Sequence, residues 1–161
     1  MNIKFFFKTL YDINLILKFV FISITSLILK MNFKTKPIKV RYGETDQMHF
    51  VHHSNYLKYF ELARLEWLSE LDISYADMER DGILMPVVSA NIYFKTPLFY
   101  GDNFQVTVTL KKIPKATIDF DYLITNQKEE IICTGNTILA FLSPITKRPM
   151  RCPNFLVKKF N

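Results

Sequence analysis

Residues 40–64 read VRYGETDQMHFVHHSNYLKYFELAR, and a change of rhythm inside this stretch decides the fold. Just upstream and into it, Ile38, Val40 and Tyr42 fall on one side of the chain and Lys39 and Arg41 on the other. That period of two predicts a half-buried strand over Pro37–Glu44. A polar, histidine-rich loop follows, from Thr45 to Ser54. Beyond Asn55 the period lengthens, with Tyr56, Phe60, Ala63, Trp67 and Leu71 recurring at helical spacing. The spacing predicts a helix over Asn55–Leu71 that buries those five and turns Lys58, Glu61 and Ser69 to solvent. So aromatic a stripe needs a broad apolar surface to lie on.

The sequence downstream supplies one. After a short helical piece, Ser74–Arg80, closed by Asp81-Gly82, four segments are rich in Val, Ile, Thr, Phe and Tyr. They are Val87–Thr96, Phe104–Ile113, Thr117–Asn126 and Ile131–Phe141, and each reads as a strand. Turn signals separate them at Tyr100-Gly101-Asp102-Asn103, Pro114-Lys115 and Asn126-Gln127-Lys128. Short turns predict antiparallel neighbours. The expected class is α+β, a curved antiparallel sheet of about five strands around one long helix.

Residues 1–30 are of another kind. The run Ile13–Leu29, INLILKFVFISITSLIL, is almost wholly apolar, and a membrane span needs about 20 such residues. Three readings stand: a mis-set start ahead of a domain that opens at Met31, a membrane anchor, or a targeting peptide. No small-x-small cleavage site follows the run, which weighs against a cleaved signal. The expected organisation is an apolar extension over 1–30 and a single domain over 31–161. The expected location is cytoplasmic, or membrane-associated if the extension is retained.

Composition narrows the function. Hydrophobic residues make up 49% of the 161, with 15 Phe and 8 Tyr, so the chain packs a core and is not disordered. The formal charge is +6, and residues 1–30 hold half of that surplus. What remains is too weak and scattered for nucleic acid, though it would steer a phosphorylated ligand. Cys133 and Cys152 match no metal-ligand spacing and are too few for a disulfide scaffold, which points to a reducing compartment.

The opening stretch also resembles the signature of the hotdog-fold acyl-CoA thioesterases of the 4-hydroxybenzoyl-CoA and Tol-Pal-associated types. Their pattern runs roughly R-Y-x-E-T-D-x-M-G-x-V-Y-H-x-N-Y-x-x-Y-F-E-x-A-R. Tyr93, Pro97 and the Gly101-Asp102 turn agree with its later part, and the resemblance covers residues 36–150. It implies hydrolysis of an acyl-CoA to the free acid and coenzyme A, with no metal or other cofactor. It also implies homodimers joined sheet edge to sheet edge, often paired again as tetramers, with the active site at the interface.

Carried over by position, Asp46 falls on the catalytic aspartate, which acts either as nucleophile or as general base toward water. His53 falls at the helix N-terminus, where its backbone N–H would polarise the thioester carbonyl. Unpaired N–H groups and the helix dipole suit a developing oxyanion there. Tyr56 and Phe60 would line the acyl pocket. Two positions depart from the pattern: His49 replaces a glycine and His52 a tyrosine. The glycine implies a tight path with positive φ, so His49, together with His52, is expected to shape the substrate site.

Glu61 is the runner-up catalyst, because a related hotdog clan uses a helical glutamate; its plain reading is an ion pair with Arg64. Asp46 with three nearby histidines matches no zinc spacing. Lys147, Arg148, Arg151, Lys158 and Lys159 read as a solvated tail, or as contacts for coenzyme A phosphates. Two rival functions stay open: a thioesterase for acyl-acyl carrier protein, and a non-catalytic module that binds acyl-CoA or an acyl carrier.

Overall fold

The chain runs α1 (Ile3–Met31), β1 (Asn32–Lys34), β2 (Ile38–Lys39), a 3₁₀ turn at Tyr42–Glu44, α2 (Asn55–Glu70) and α3 (Tyr75–Arg80). Then come β3 (Val87–Phe94), β4 (Asn103–Leu110), β5 (Thr117–Asn126), β6 (Ile131–Ala140), α4 (Asn154–Val157) and a closing 3₁₀ turn at Lys158–Phe160. This computed structural model describes residues 3–160, the side chains of 3–14, 19 and 29 excepted.

Period two meets period 3.6 in the core. Along β4, Phe104, Val106, Val108 and Leu110 point inward, and along β5 Ile118, Phe120, Tyr122 and Ile124 do the same. Their intervening neighbours are half-buried. α2 lays the expected stripe on this face: Tyr56, Phe60, Ala63 and Trp67 are each buried. The rings interlock, Tyr59 on Phe104 at 4.6 Å, Phe60 on Tyr122 at 4.1 Å and the edge of Trp67 on Phe120 at 5.2 Å. Each such large apolar side chain stabilises the fold by roughly 1.5–3 kcal/mol. Lys58, Glu61 and Ser69 face solvent on the opposite side. A curved antiparallel sheet wrapped around one long helix is the hotdog arrangement.

The sheet has six strands in the order β1-β4-β5-β6-β3, with β2 also on β4, and every pairing is antiparallel. Two sequence expectations need correcting. The strand predicted over Pro37–Glu44 pairs only at Ile38–Lys39. Beyond it the Arg41 N–H donates to the Glu44 carboxylate at 2.8 Å, and Tyr42–Glu44 coil into a 3₁₀ turn that aims the next loop at α2.

The second concerns β3 and β4, which are consecutive in sequence but not adjacent in space. β3 crosses to the far side of the sheet and pairs with β6, from Val87 opposite Leu139 to Phe94 opposite Cys133. The connection over 95–102 is no hairpin. Lys95 and Thr96 both donate to the Ile132 carbonyl, Leu98 plugs the core with no exposed surface, and the Asp102 carboxylate takes the Phe99 N–H. One long edge of β3 is left without a strand beside it among the described residues.

The last turn of α1 is tied to the body. Leu27 and Met31 pack against the core, and the Trp67 indole N–H donates to the Lys30 carbonyl at 2.9 Å. Phe160 stacks on Trp67, its ring plane tilted by 14°. Farther up, Ile16, Leu17, Phe21 and Ile24 are exposed. Among the described residues no helix is long and apolar enough to cross a membrane. The anchor expected over Ile13–Leu29 falls partly on residues 13, 14, 19 and 29, outside the described side chains.

Candidate active site

The loop between the 3₁₀ turn and α2 is a small bridged hairpin. Thr45 pairs with Val51, and Phe50 with Phe99 of the crossing segment. Inside it the Asp46 N–H donates to the Phe50 carbonyl and the His49 N–H to the Asp46 carbonyl, both at 2.9 Å. So tight a reversal needs a left-handed residue, and His49 supplies it with φ 65°. The Asp46 carboxylate is then held from one side, its Oδ1 accepting the Met48 N–H at 2.8 Å. No partner is found for its other oxygen among the described residues.

From Val51 the chain is pinned on both flanks before it coils. The Val51 N–H donates to Leu98, the His52 N–H donates to Glu44, and the buried Asn55 amide also reaches the Glu44 carbonyl, at 2.8 Å. This fixes the entry angle of α2. Ser54 stands at the N-cap with helical dihedrals and makes no side-chain cap bond. The Asn55 N–H turns back to the His52 carbonyl at 2.9 Å and the Tyr56 N–H to the His53 carbonyl at 3.3 Å. The His53 N–H has no acceptor among the described residues.

Asp46, His53 and Tyr56 converge on one cleft of about 440 Å³. Its apolar wall is Met48, Phe50, Val51, Tyr56 and Phe94, and Lys95, Thr96 and Pro97 close it from the crossing segment. A carboxylate with a free oxygen, a backbone donor at the positive end of a helix and an apolar wall can together hold a carbonyl and attack it. Burial, above all, pushes the Tyr56 hydroxyl up to about 12, so it stays neutral.

Other residues singled out in the sequence stand elsewhere. Phe60 is wholly buried beneath the Tyr122 ring. His49 is exposed at the tip of the turn and is absent from the cleft wall. His52 turns its ring to the Ser54 hydroxyl at 2.8 Å and lies 4.0 Å from the His53 ring. Glu61 faces a second cavity, on the other flank of α2. Among the described residues no group of three or more His, Cys, Asp or Glu side chains is placed to hold a metal ion. Both cysteines are free and buried, and burial pushes each thiol up to about 12, too high for a nucleophile. Sequence reasoning missed the contribution of Phe94, Lys95 and Thr96. Pro97 was part of the recognisable pattern, but nothing local says that this segment doubles back against the Asp46 loop.

Known proteins resemble this chain in sequence and in fold. The thioesterase-like superfamily profile matches residues 40–160. The chain is 40% identical over 101 residues to YneP of Bacillus subtilis, whose name assigns it provisionally as an acyl-CoA thioesterase. That match covers 63% of this chain and 73% of YneP. The acyl-CoA thioester hydrolase YbgC of Escherichia coli is 20% identical over 77% of this chain and 92% of its own. Among solved structures, DHNA-CoA thioesterase from Staphylococcus aureus superposes with a TM-score of 0.71 at 38% identity, covering 74% of this chain and 80% of that one.

Proposed function

The chain belongs to the thioesterase-like superfamily, and from that premise we propose that it hydrolyses acyl-CoA thioesters in the cleft beneath the N-terminus of α2. The observation that carries this reading is the meeting of Asp46 and His53 on one apolar cleft, with the His53 N–H unpaired among the described residues. The His53 N–H receives the thioester oxygen, which gains negative charge as the carbonyl carbon becomes tetrahedral.

Asp46 acts in one of two ways. It attacks the carbonyl carbon, expels the thiolate and leaves a mixed anhydride that water then opens; or it takes a proton from a water that attacks directly. Either way the C–S bond breaks, the water oxygen ends on the acid, and a proton returns to the coenzyme A thiolate. The test is thiol release from a panel of short, long and aromatic acyl-CoAs by the full chain and by Asp46→Asn. We expect turnover by the wild type and a loss of about a hundredfold or more in the variant, with its fold unchanged. A variant as active as the wild type would remove Asp46 from the chemistry.

We further infer a homodimer through β3. Val88, Tyr93 and Phe94 are more than half exposed along a strand edge that has no neighbour among the described residues. Such an edge is a template for strand pairing, and a second copy would cover it. The two unpaired, buried thiols suit a reducing cytoplasm.

A further inference from the structure

A third cavity, of about 530 Å³, lies between the first two turns of α2 and the 3₁₀ turn that leads into the Asp46 loop. Its wall includes Ile38, Arg41, Glu44, Lys58, Tyr59 and Leu62, and it shares no residue with the Asp46 cleft. Tyr59 is the unusual member. It is 4% exposed, and its hydroxyl is the one buried side-chain oxygen or nitrogen without a hydrogen-bond partner among the described residues. Leaving a buried hydroxyl unpaired costs stability, and a phenylalanine would fill the same space without that cost.

The surroundings say what is missing. The Tyr59 ring rests on Phe104 at 4.6 Å and against Tyr56 at 5.9 Å, so packing fixes where the hydroxyl stands. Burial above all, and after it the Glu44 charge, holds that hydroxyl above its ordinary range, so it keeps its proton and has a donor to offer. Glu44 is already engaged: its carboxylate accepts the Arg41 N–H at 2.8 Å and stands 3.7 Å from Arg41 Nε. The Arg41 side chain is otherwise 81% exposed. The Lys58 ammonium gives one proton to the Asn55 side-chain oxygen, at 3.1 Å, and has two more. Two cations against one carboxylate leave the wall with a net positive charge, and Ile38 and Leu62 make the rest of it apolar.

We propose that this cavity is a second ligand site, which takes an organic carboxylate with a short apolar body. A carboxylate oxygen accepts the Tyr59 proton, Arg41 and Lys58 balance its charge, and Ile38 and Leu62 cover the body. A neutral alcohol would satisfy Tyr59 but leave the two cations in water. A phosphate dianion would bring more negative charge against Glu44 than the wall can balance. The volume suits a small organic ligand. The acid released in the Asp46 cleft belongs to this class, so the occupant would be the product of the reaction. That identification alone rests on the hydrolase reading; the site stands on its own geometry.

The experiment titrates the full chain with octanoate, octanol and octyl phosphate by calorimetry, and repeats the titrations with Tyr59→Phe and Lys58→Gln. We expect octanoate to bind the wild type about tenfold or more tighter than the other two, and each variant to lose that margin. Octanoate should bind equally well when a non-hydrolysable octyl-CoA thioether saturates the Asp46 cleft. Tyr59→Phe should melt no lower than the wild type, because the hydroxyl it removes has no partner to lose, so lost binding is not lost fold. A wild type that binds no octanoate, or binds octanol as tightly, overturns the proposal, as does a Tyr59→Phe variant that binds octanoate unchanged. Displacement by the thioether would put the acid in the Asp46 cleft and overturns it too. Thiol release is read separately. A protein that binds octanoate as expected but hydrolyses no acyl-CoA loses the hydrolase reading and keeps the Tyr59 site.

Discussion

Phe60 lies flat on Tyr122, with ring centroids 4.1 Å apart and planes 8° from parallel, and Gly135 is the cross-strand partner of Tyr122 in β6. The stack depends on that glycine. A Cβ there would come within 2.5 Å of the Phe60 ring and 2.9 Å of the Asn91 carbonyl oxygen.

Gly135→Ala is therefore expected to destabilise the fold by about 1–3 kcal/mol through overpacking. Neither the ring, clamped between helix and sheet, nor the backbone carbonyl can give way cheaply. Urea unfolding would measure it, and a midpoint equal to the wild type would show that the stack has slack.

The reversal that presents Asp46 places His49 at φ 65°, in the left-handed region that glycine occupies without cost. His49→Gly should be neutral or stabilising, within about 1 kcal/mol, because the relief of strain is partly offset by the entropy glycine gains when unfolded. His49→Val should destabilise by roughly 1–3 kcal/mol, since a β-branched residue is a genuine outlier there. Thermal melts of the pair decide it; equal melting temperatures would refute the role of the turn.

Trp67 joins the body to the end of α1 through its bond to the Lys30 carbonyl. Trp67→Phe keeps an aromatic ring but removes the donor, with an expected cost of about 1–3 kcal/mol. Amide exchange at residues 30–34 should quicken by more than it does in the centre of β5. Uniform quickening would mean that the ring alone matters.

The two thiols should be silent in the folded state. Burial raises both Cys133 and Cys152 to about 12, from an ordinary 9.0, so at pH 8 a thiol reagent should label neither until denaturant is added, and should leave hydrolysis untouched. The same shifts set an alkaline limit. The folded thiols hold their protons where the unfolded ones release them, so their contribution is whole below about pH 9 and is lost as the pH rises from there toward 12. Denaturant midpoints from pH 7 to 10.5 should be level at first and then fall; a rise above pH 9 would contradict the burial of these groups.

Much of this protein was legible in its residue order. The stripe from Tyr56 to Trp67 fixed α2 and its buried face, and the alternation along Thr117–Asn126 fixed β5 to the residue. Both signals are local, because a helix or strand half in water must repeat with its own period. The family, too, was readable, since the run from Arg41 to Arg64 holds a loop and a helix start in one unbroken segment.

What the residue order left open was every relation between distant segments. Nothing in Val87–Phe94 says that it pairs with β6 and not with the next strand along, because an antiparallel edge accepts any partner of the right pleat and the choice is made by the path of residues 95–102. For the same reason the wall that Lys95, Thr96 and Pro97 raise beside Asp46 was invisible. So was the burial of Arg64 beneath Tyr122, a strand residue 58 positions away. Sequence determines periods and caps, which depend on neighbours; tertiary packing decides which donors and charges end up facing one another, because that depends on how the whole sheet closes on the helix.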